Sequence, residues 1–372
     1  MSDNKRLRAD ERIAMSLRGI YESYGYTPYK MSKFEEYDLY SSNIDFLGDG
    51  GVLTFTDVNG KLMALKPDVT LSIVKNFKGS TGTQKVYYKE NVYRRTGRGE
   101  NFRELPQCGI ECIGDIGSYE TSEILLLAIK SLEATERPFK LEISHMGVLS
   151  SLIPDVLSAP DIKEELLTCI KRKNIDGIKE LADMNGVDES DYAPLCEAIS
   201  LNGNVDEVIS SLKNLCSNVG TSSVCELEDA VNFLIDLGYK DNIGIDLSIL
   251  NDLNYYRSLV FRGYIDCIPD GILLGGRYDD LVKKMGRDCK AIGFALSLNK
   301  LEELSRNDNP DLIDAVVLYD NNTPDATVFN CCEKLRADGL YVVALPSDSN
   351  NFGDRRVFCL SSDGVITEGL VK

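Results

Sequence analysis

Residues 84–114 read QKVYYKENVYRRTGRGENFRELPQCGIECIG, and the alternation in this stretch decides what kind of sheet the chain builds. Two long runs flank the short polar loop GRGEN, the pattern of an antiparallel strand pair. Side chains on a strand alternate between its faces. On the second run Arg103, Gln107, Gly109 and Glu111 therefore point one way, and Cys108, Ile110 and Cys112 the other. One face is apolar core. The other carries an amide and a carboxylate about 13 Å or less apart, at a rise of ~3.3 Å per residue. A solvated sheet face would carry the same pair, but a glycine between them leaves room above the backbone and favours a pocket.

The pattern extends in both directions. Upstream, residues 5–25 repeat apolar positions at Ile13, Leu17, Ile20 and Tyr21, a helical spacing that Gly25 ends. VLTFTDVNGKLMALKP (52–67) places two apolar runs around Asn59-Gly60, a strong hairpin signal. Lys66-Pro67-Asp68 is expected to open a helix running to Lys75, with proline in the first turn. Downstream come a helix at 118–134 and the strand KLEISHMG. From about 152 to 238 the text is short amphipathic helices without strand patterns, which reads as a helical insertion. Strands resume at IGIDLSIL, YYRSLVFRGYI and AIGFALSL, and a helix runs from Asn299 to about Ser305. RNDNPD (306–311) is a turn-rich linker, and 312–372 alternates β and α like a small α/β unit. The expected fold class is α+β, an antiparallel sheet flanked by helices over residues 1–305. GGRYDD and GRGEN match neither a dinucleotide-binding fingerprint nor a P-loop.

Composition narrows the chemistry. The net charge of −18 disfavours nucleic acid, whose affinity rests on lysine and arginine contacts. The cationic cluster Arg94, Arg95, Arg98 and Arg103 is too small for a nucleic-acid track. No apolar run approaches the ~20 residues that span a bilayer. The charged start MSDNKRLRADER lacks a signal-peptide core, so a cytoplasmic location is expected. Eleven cysteines occur without a CxxC pair, which fits free thiols better than disulfides or a zinc site. The single histidine, His145, has no carboxylate close in sequence, so a structural or ligand-neighbouring role is expected for it rather than proton transfer.

Several ordered segments together carry a family resemblance. YRRTGRGENFRELPQCGIECIG resembles the second signature motif of class II aminoacyl-tRNA synthetases, with Arg94 at its arginine. LKPDVTLSIVKN resembles the amino-acid-binding turn of histidyl-tRNA synthetases, with Asp68 where they carry glutamate. NDLNYYRSLVF resembles their histidine-specific segment, and LLGGRYDDLVKKMG with AIGFALSLNKLEEL the run into the third motif. The likeness covers roughly residues 5–305. It implies a class II synthetase-like core and a histidine pocket built from Asp68, Thr70, Arg94, Gln107, Glu111, Tyr255, Tyr256 and Arg277. Only one of the adjacent tyrosines can face such a pocket, and Arg277 with Asp279 could equally form a surface ion pair.

The departures bear on activity. Asn251 stands where the synthetase has an activating arginine, and Lys300 where the third motif has its ATP-binding arginine. Thr96 replaces an acidic residue, and Ser32 the proline of the first motif. Adenylate formation needs cations at the charge developing on the α-phosphate, and losing one such donor can cost on the order of 10²–10³ in rate. A retained pocket with depleted chemistry resembles the ATP phosphoribosyltransferase regulatory subunits. That resemblance implies a non-catalytic role without catalytic residues, cofactor or metal. It also implies a homodimeric core assembled with a short-form catalytic subunit, L-histidine as effector, and no nucleic-acid or membrane partner. A divergent histidyl-tRNA synthetase is the alternative.

Overall fold

The strand pair foreseen at 84–114 forms the spine of the main sheet. In a computed structural model of the chain, the described residues are 8–47, 51–77, 79, 82–95, 101–217, 219–250, 258–305, 313–350, 352, 353, 355–361 and 364–369. The chain divides into two compact units, Ala9–Glu303 and one that comprises Leu304–Lys372. In the first unit the strands are β1 Thr27–Pro28, β2 Phe34–Glu36, β3 Thr54–Thr56, β4 Leu62–Leu65, β5 Gln84–Arg95, β6 Phe102–Gly114, β7 Phe139–His145, β8 Ile243–Ile245, β9 Leu259–Ile265, β10 Ile268–Arg277 and β11 Lys290–Ser297. Its helices are α1 Ala9–Ser23, α2 Tyr37–Ser41, α3 Ile44–Leu47, α4 Thr70–Asn76, α5 Ser118–Glu133, α6 Met146–Leu152, α7 Pro160–Lys171, α8 Ile175–Met184, α9 Glu189–Ser200, α10 Val205–Leu215, α11 Thr221–Asp236 and α12 Asp279–Lys284. A further helix, α13 Leu298–Ser305, follows β11.

The main sheet has the order β1-β5-β6-β11-β10-β9-β7-β8. Its centre is antiparallel, while β1 on β5 and β8 on β7 pair parallel. Because directly opposed residues share a face, the register sorts side chains across six strands. Tyr87, Ile110, Phe294, Gly275, Phe261 and Ile143 lie in one row. Tyr21 of α1 packs on that row, its ring centroid 6.1 Å from Tyr87 and 6.3 Å from Phe294. This is the helical face. The neighbouring row, Val86, Glu111, Gly293, Gly276 and Val260, belongs to the opposite face. Part of that face is closed by Leu71, Ile73 and Val74 of α4, which pack with Val86, Tyr88 and Val92. A three-stranded sheet, β2-β4-β3, lies beside α4 in the chain and contains the Asn59-Gly60 turn.

Several boundaries differ from expectation: the strands expected over KLEISHMG and IGIDLSIL end at His145 and Ile245, and β10 adds a strand that was not expected. The helix after Pro67 begins at Thr70, because the Asp68 carboxylate accepts the Leu71 N–H at 2.9 Å and holds residues 67–69 as a turn. Between β7 and β8 the described chain is helical, from α6 to α11 and a final 3₁₀ turn at Lys240–Asn242.

The second unit contains β12 Ala315–Tyr319, α14 Asp325–Ala337, β13 Val342–Pro346, β14 Arg356–Leu360 and β15 Ile366–Gly369. The sheet order is β13-β12-β14-β15, parallel except for the β14–β15 pair. Val328, Cys331 and Cys332 of α14 pack on Ala315, Val317, Val342 and Phe358. The adjacent cysteines are thus core thiols, pushed up by burial. The linker expected at 306–311 lies outside the described residues.

Candidate functional site

On the face opposite α1, a cleft of about 1400 Å³ opens against β5, β6, β9, β10 and β11 and is bounded by α3, the start of α4 and α7. It exceeds the roughly 300–1,000 Å³ typical of small-molecule pockets, so a free amino acid would fill only one end. That end contains Asp68, Thr70, Tyr88, Arg94, Gln107 and Glu111. Strand alternation brings the β5 and β6 members to one face, and the turn at 67–69 swings Asp68 and Thr70 over them.

Glu111 is 2% exposed and fully engaged. Thr70 Oγ1 donates to its Oε1 at 2.7 Å, and the Tyr278 hydroxyl donates to its Oε2. Burial pushes its carboxyl up to about 8, and the nearby Asp68 charge adds to that, while the two hydroxyls pull it back. The strand opposite leaves space for it: a Cβ on Gly293 would lie 1.8 Å from Glu111 Oε2. Asp68 is also buried, which raises its pKa, against the Arg94 charge and backbone N–H groups. Arg94 donates from Nη2 to Asp68 Oδ2 at 3.2 Å and from Nε to the Pro67 carbonyl. Two buried acids thus face the cleft, and the Arg94 guanidinium pairs with Asp68 alone, a surrounding that favours a cationic ligand. Gln107 lines the same end, and its amide has no hydrogen-bond partner among the described residues.

The far end has a different character. Lys163 and Lys171 of α7 and Arg262 of β9 line it, together with Glu164 and Asp270. Lys300 is half-buried there, with Nζ donating to the Gly271 carbonyl at 2.9 Å.

Asp68, Thr70, Arg94, Gln107 and Glu111 are therefore brought together. Tyr255, Tyr256, Asn251 and Thr96 lie outside the described residues. Arg277 requires a correction, because it does not line the cleft. It opposes Ile292, which opposes Cys112, and so sits on the helical face. There its Nε donates to Asp279 Oδ2 at 2.9 Å and its Nη1 to Glu226 Oε1 at 3.4 Å. The room expected above Gly109 is likewise not open: a Cβ there would lie 2.4 Å from the Tyr88 hydroxyl, so the phenol fills it.

The sequence reading missed three residues. Tyr88 shares the face of Arg94 and was recoverable from alternation alone. Tyr278 sits next to Arg277 in GGRYDD, but its partner is 167 residues away. Glu226 of α11 carries no local signal. It is the carboxylate partner of His145, with Nε2 and Oε2 3.1 Å apart across 81 residues. The Gly147 N–H donates to His145 Nδ1 at 3.1 Å, so Nε2 carries the ring proton and donates to Glu226. His145 is 1% exposed and caps α6, which makes its role structural.

Residues 3–301 match the family model described as histidyl-tRNA synthetase. An ATP phosphoribosyltransferase regulatory subunit from Caldanaerobacter subterraneus subsp. tengcongensis is 31% identical over 299 residues, 78% of this chain and 76% of the relative. Among solved structures, one described as an ATP phosphoribosyltransferase regulatory subunit/histidyl-tRNA synthetase from Bacillus halodurans C superposes with a TM-score of 0.77 at 23% identity, covering 92% of this chain and 90% of the other. A chain of the ATP phosphoribosyl transferase (HisG:HisZ) complex from Thermotoga maritima superposes with a TM-score of 0.61 at 22% identity, covering 77% and 96% respectively. At these identities the structural likenesses establish the fold.

Proposed function

This chain belongs to the histidyl-tRNA synthetase family and, within it, to the ATP phosphoribosyltransferase regulatory subunits, and we propose that it senses histidine without activating it. Its place is in histidine biosynthesis, as the regulatory partner of a catalytic ATP phosphoribosyltransferase subunit. In this reading L-histidine enters the acidic end of the cleft. Its ammonium and imidazole meet Asp68, Thr70, Glu111 and Gln107, and one of Tyr255 and Tyr256 completes the pocket.

The observation that carries the reading is how two of the cleft's cations, those at the positions matching the synthetase motifs, are used. Arg94 is held by the Pro67 carbonyl and Asp68, and Lys300 by the Gly271 carbonyl. Adenylation needs such cations aimed at a phosphate whose charge is developing. Here they brace protein groups while the two acids remain facing the cleft. Sensing alone regulates nothing, so histidine must bind one state of the complex more tightly than another.

The assembly belongs to the same proposal: a homodimer of the core associated with short-form catalytic subunits in the cytoplasm. Phe34 and Phe55 on the three-stranded sheet support a self-association surface. They are 47% and 37% exposed, with ring centroids 5.6 Å apart. The free cysteines suit a reducing compartment.

The test is reconstitution with a short-form catalytic subunit. Phosphoribosyl transfer should appear only with both chains and fall on adding L-histidine, and Glu111→Gln should weaken that inhibition at least tenfold. Histidine-dependent ATP–pyrophosphate exchange by this chain at synthetase-like rates would instead make it a histidyl-tRNA synthetase.

A further inference from the structure

The end of β10 sends two consecutive side chains to opposite faces of the main sheet. Tyr278 goes to the cleft face, is 2% exposed, and donates its hydroxyl to Glu111 Oε2. Arg277 goes to the helical face and reaches Glu226 of α11. Asp279, the next residue, ties both to the sheet: Oδ2 accepts from Arg277 Nε at 2.9 Å, and Oδ1 accepts the Ala291 N–H of β11 at 3.0 Å. Glu226 is itself held from two more strands, by His145 Nε2 of β7 and by Ser258 Oγ at 2.7 Å, just before β9. A continuous polar path thus runs from the pocket carboxylate, through the strand end, to the last helix of the insertion.

We propose that Tyr278 is a positioning residue for the ligand-binding carboxylate, and that the Arg277–Asp279–Glu226 clamp lets the helical insertion set how tightly the pocket holds its effector. The inference rests on the reading of the cleft as the histidine site.

The physical basis is geometric. Neighbouring Cα atoms are 3.8 Å apart across a trans peptide, so Arg277 and Tyr278 cannot be displaced independently. A hydrogen bond weakens as its donor and acceptor are drawn apart, and steeply as its angle closes below about 120°. A shift of α11 that pulls Arg277 therefore loosens the Tyr278 hydroxyl from Glu111. That leaves Thr70 as the remaining hydroxyl donor and makes the buried charge harder to hold. The groups facing Glu111 from each packed element are Asp68 and Thr70 at the start of α4, Tyr88 and Arg94 from β5, Gln107 on its own strand, and Tyr278. None of them belongs to the insertion, and the clamp reaches this carboxylate from α11 through Arg277 and its neighbour Tyr278.

The experiment is calorimetric titration of the full chain with L-histidine from pH 6 to 8.5. The variants are Tyr278→Phe, Glu226→Gln and the double mutant, with folding checked by circular dichroism. Tyr278→Phe should weaken binding about tenfold and move the pH at which affinity levels off upward, because Glu111 loses a donor that favours its charged form. Glu226→Gln, which touches no pocket residue, should weaken binding several-fold and move the profile the same way. The double mutant should lose less than the product of the single losses. If Glu226→Gln does not fold, Ser258→Ala, which removes one bond to the same carboxylate, takes its place with a smaller effect. Independent, multiplicative losses, or an unchanged pH profile in a folded clamp variant, overturn the inference and leave the pocket reading intact. Absence of histidine binding by the unmodified chain overturns both.

Discussion

Glu111 and Glu226 lie on opposite faces of one sheet and titrate in opposite directions. Glu111 is almost wholly buried and has a second acid nearby, so its carboxyl rises to about 8 although two hydroxyl hydrogen bonds pull it back. Glu226 has a side chain 38% exposed and accepts from His145, Ser258 and Arg277, which hold its carboxyl down to about 2 although burial opposes them. Burial without a cation leaves a carboxylate in need of one, whereas exposure with a full set of donors leaves it nothing to recruit. The cleft face is therefore built to receive a charge from outside and the helical face to neutralise its own.

The comparison can be broken most forcefully at Gly293. Gly293→Ala places a methyl 1.8 Å from Glu111 Oε2 and 2.4 Å from the Ile110 carbonyl. Overpacking of this kind costs about 3 kcal/mol, and displacing the carboxylate should lower L-histidine affinity at least 100-fold, read by thermal melts and calorimetry. Unchanged binding in a folded Gly293→Ala would mean that Glu111 is not the pocket's floor.

The pH dependence of stability sharpens the contrast next. The Glu111 carboxyl moves from an ordinary value of 4.5 to about 8 on folding, so between those values the folded chain keeps a proton that the unfolded chain has released. Its contribution is fully present below pH 4.5 and is lost as pH rises through 8, with a slope of at most about 1.4 kcal/mol per pH unit. Denaturant melts of Glu111→Gln should lack that slope. Glu226 works in reverse: its lowered carboxyl stabilises the fold above about 4.5, and this is lost as pH falls toward 2. The same slope in both proteins would remove Glu111 as its source.

The smallest effect belongs to Ser258. Ser258→Ala deletes one of the donors to Glu226 and should cost about 1 kcal/mol, seen as a modest drop in melting temperature. A loss several times larger would show that the helical face depends on each donor rather than on the set.

Much of this was legible in advance, for reasons that can be named. The β5–β6 pair, the Asn59-Gly60 turn and the helical insertion follow from local alternation, turn chemistry and periodicity. The same alternation put Gln107 and Glu111 on one face. Three features were not legible: the filling of Gly109's space by Tyr88, the side of the sheet to which Arg277 turns, and the His145–Glu226 pair. Each depends on which strand or helix lies opposite, and none of those neighbours is close in sequence. Arg277 shows the difference most clearly. Its motif suggested a pocket residue, but the registers of β10 on β11 and of β11 on β6 turn Tyr278 inward instead.

The sequence by itself determined the β5–β6 pair and most of the longer elements, the family resemblance and the pairing of an amide with a carboxylate on one strand face, because those are properties of spacing along a single chain segment. Only the tertiary structure decided which carboxylate stays in need of a cation and which is already satisfied. Charge balance in a buried site is a sum over groups that folding brings together, and the donors around Glu111 and Glu226 arrive from 32 to 167 residues away.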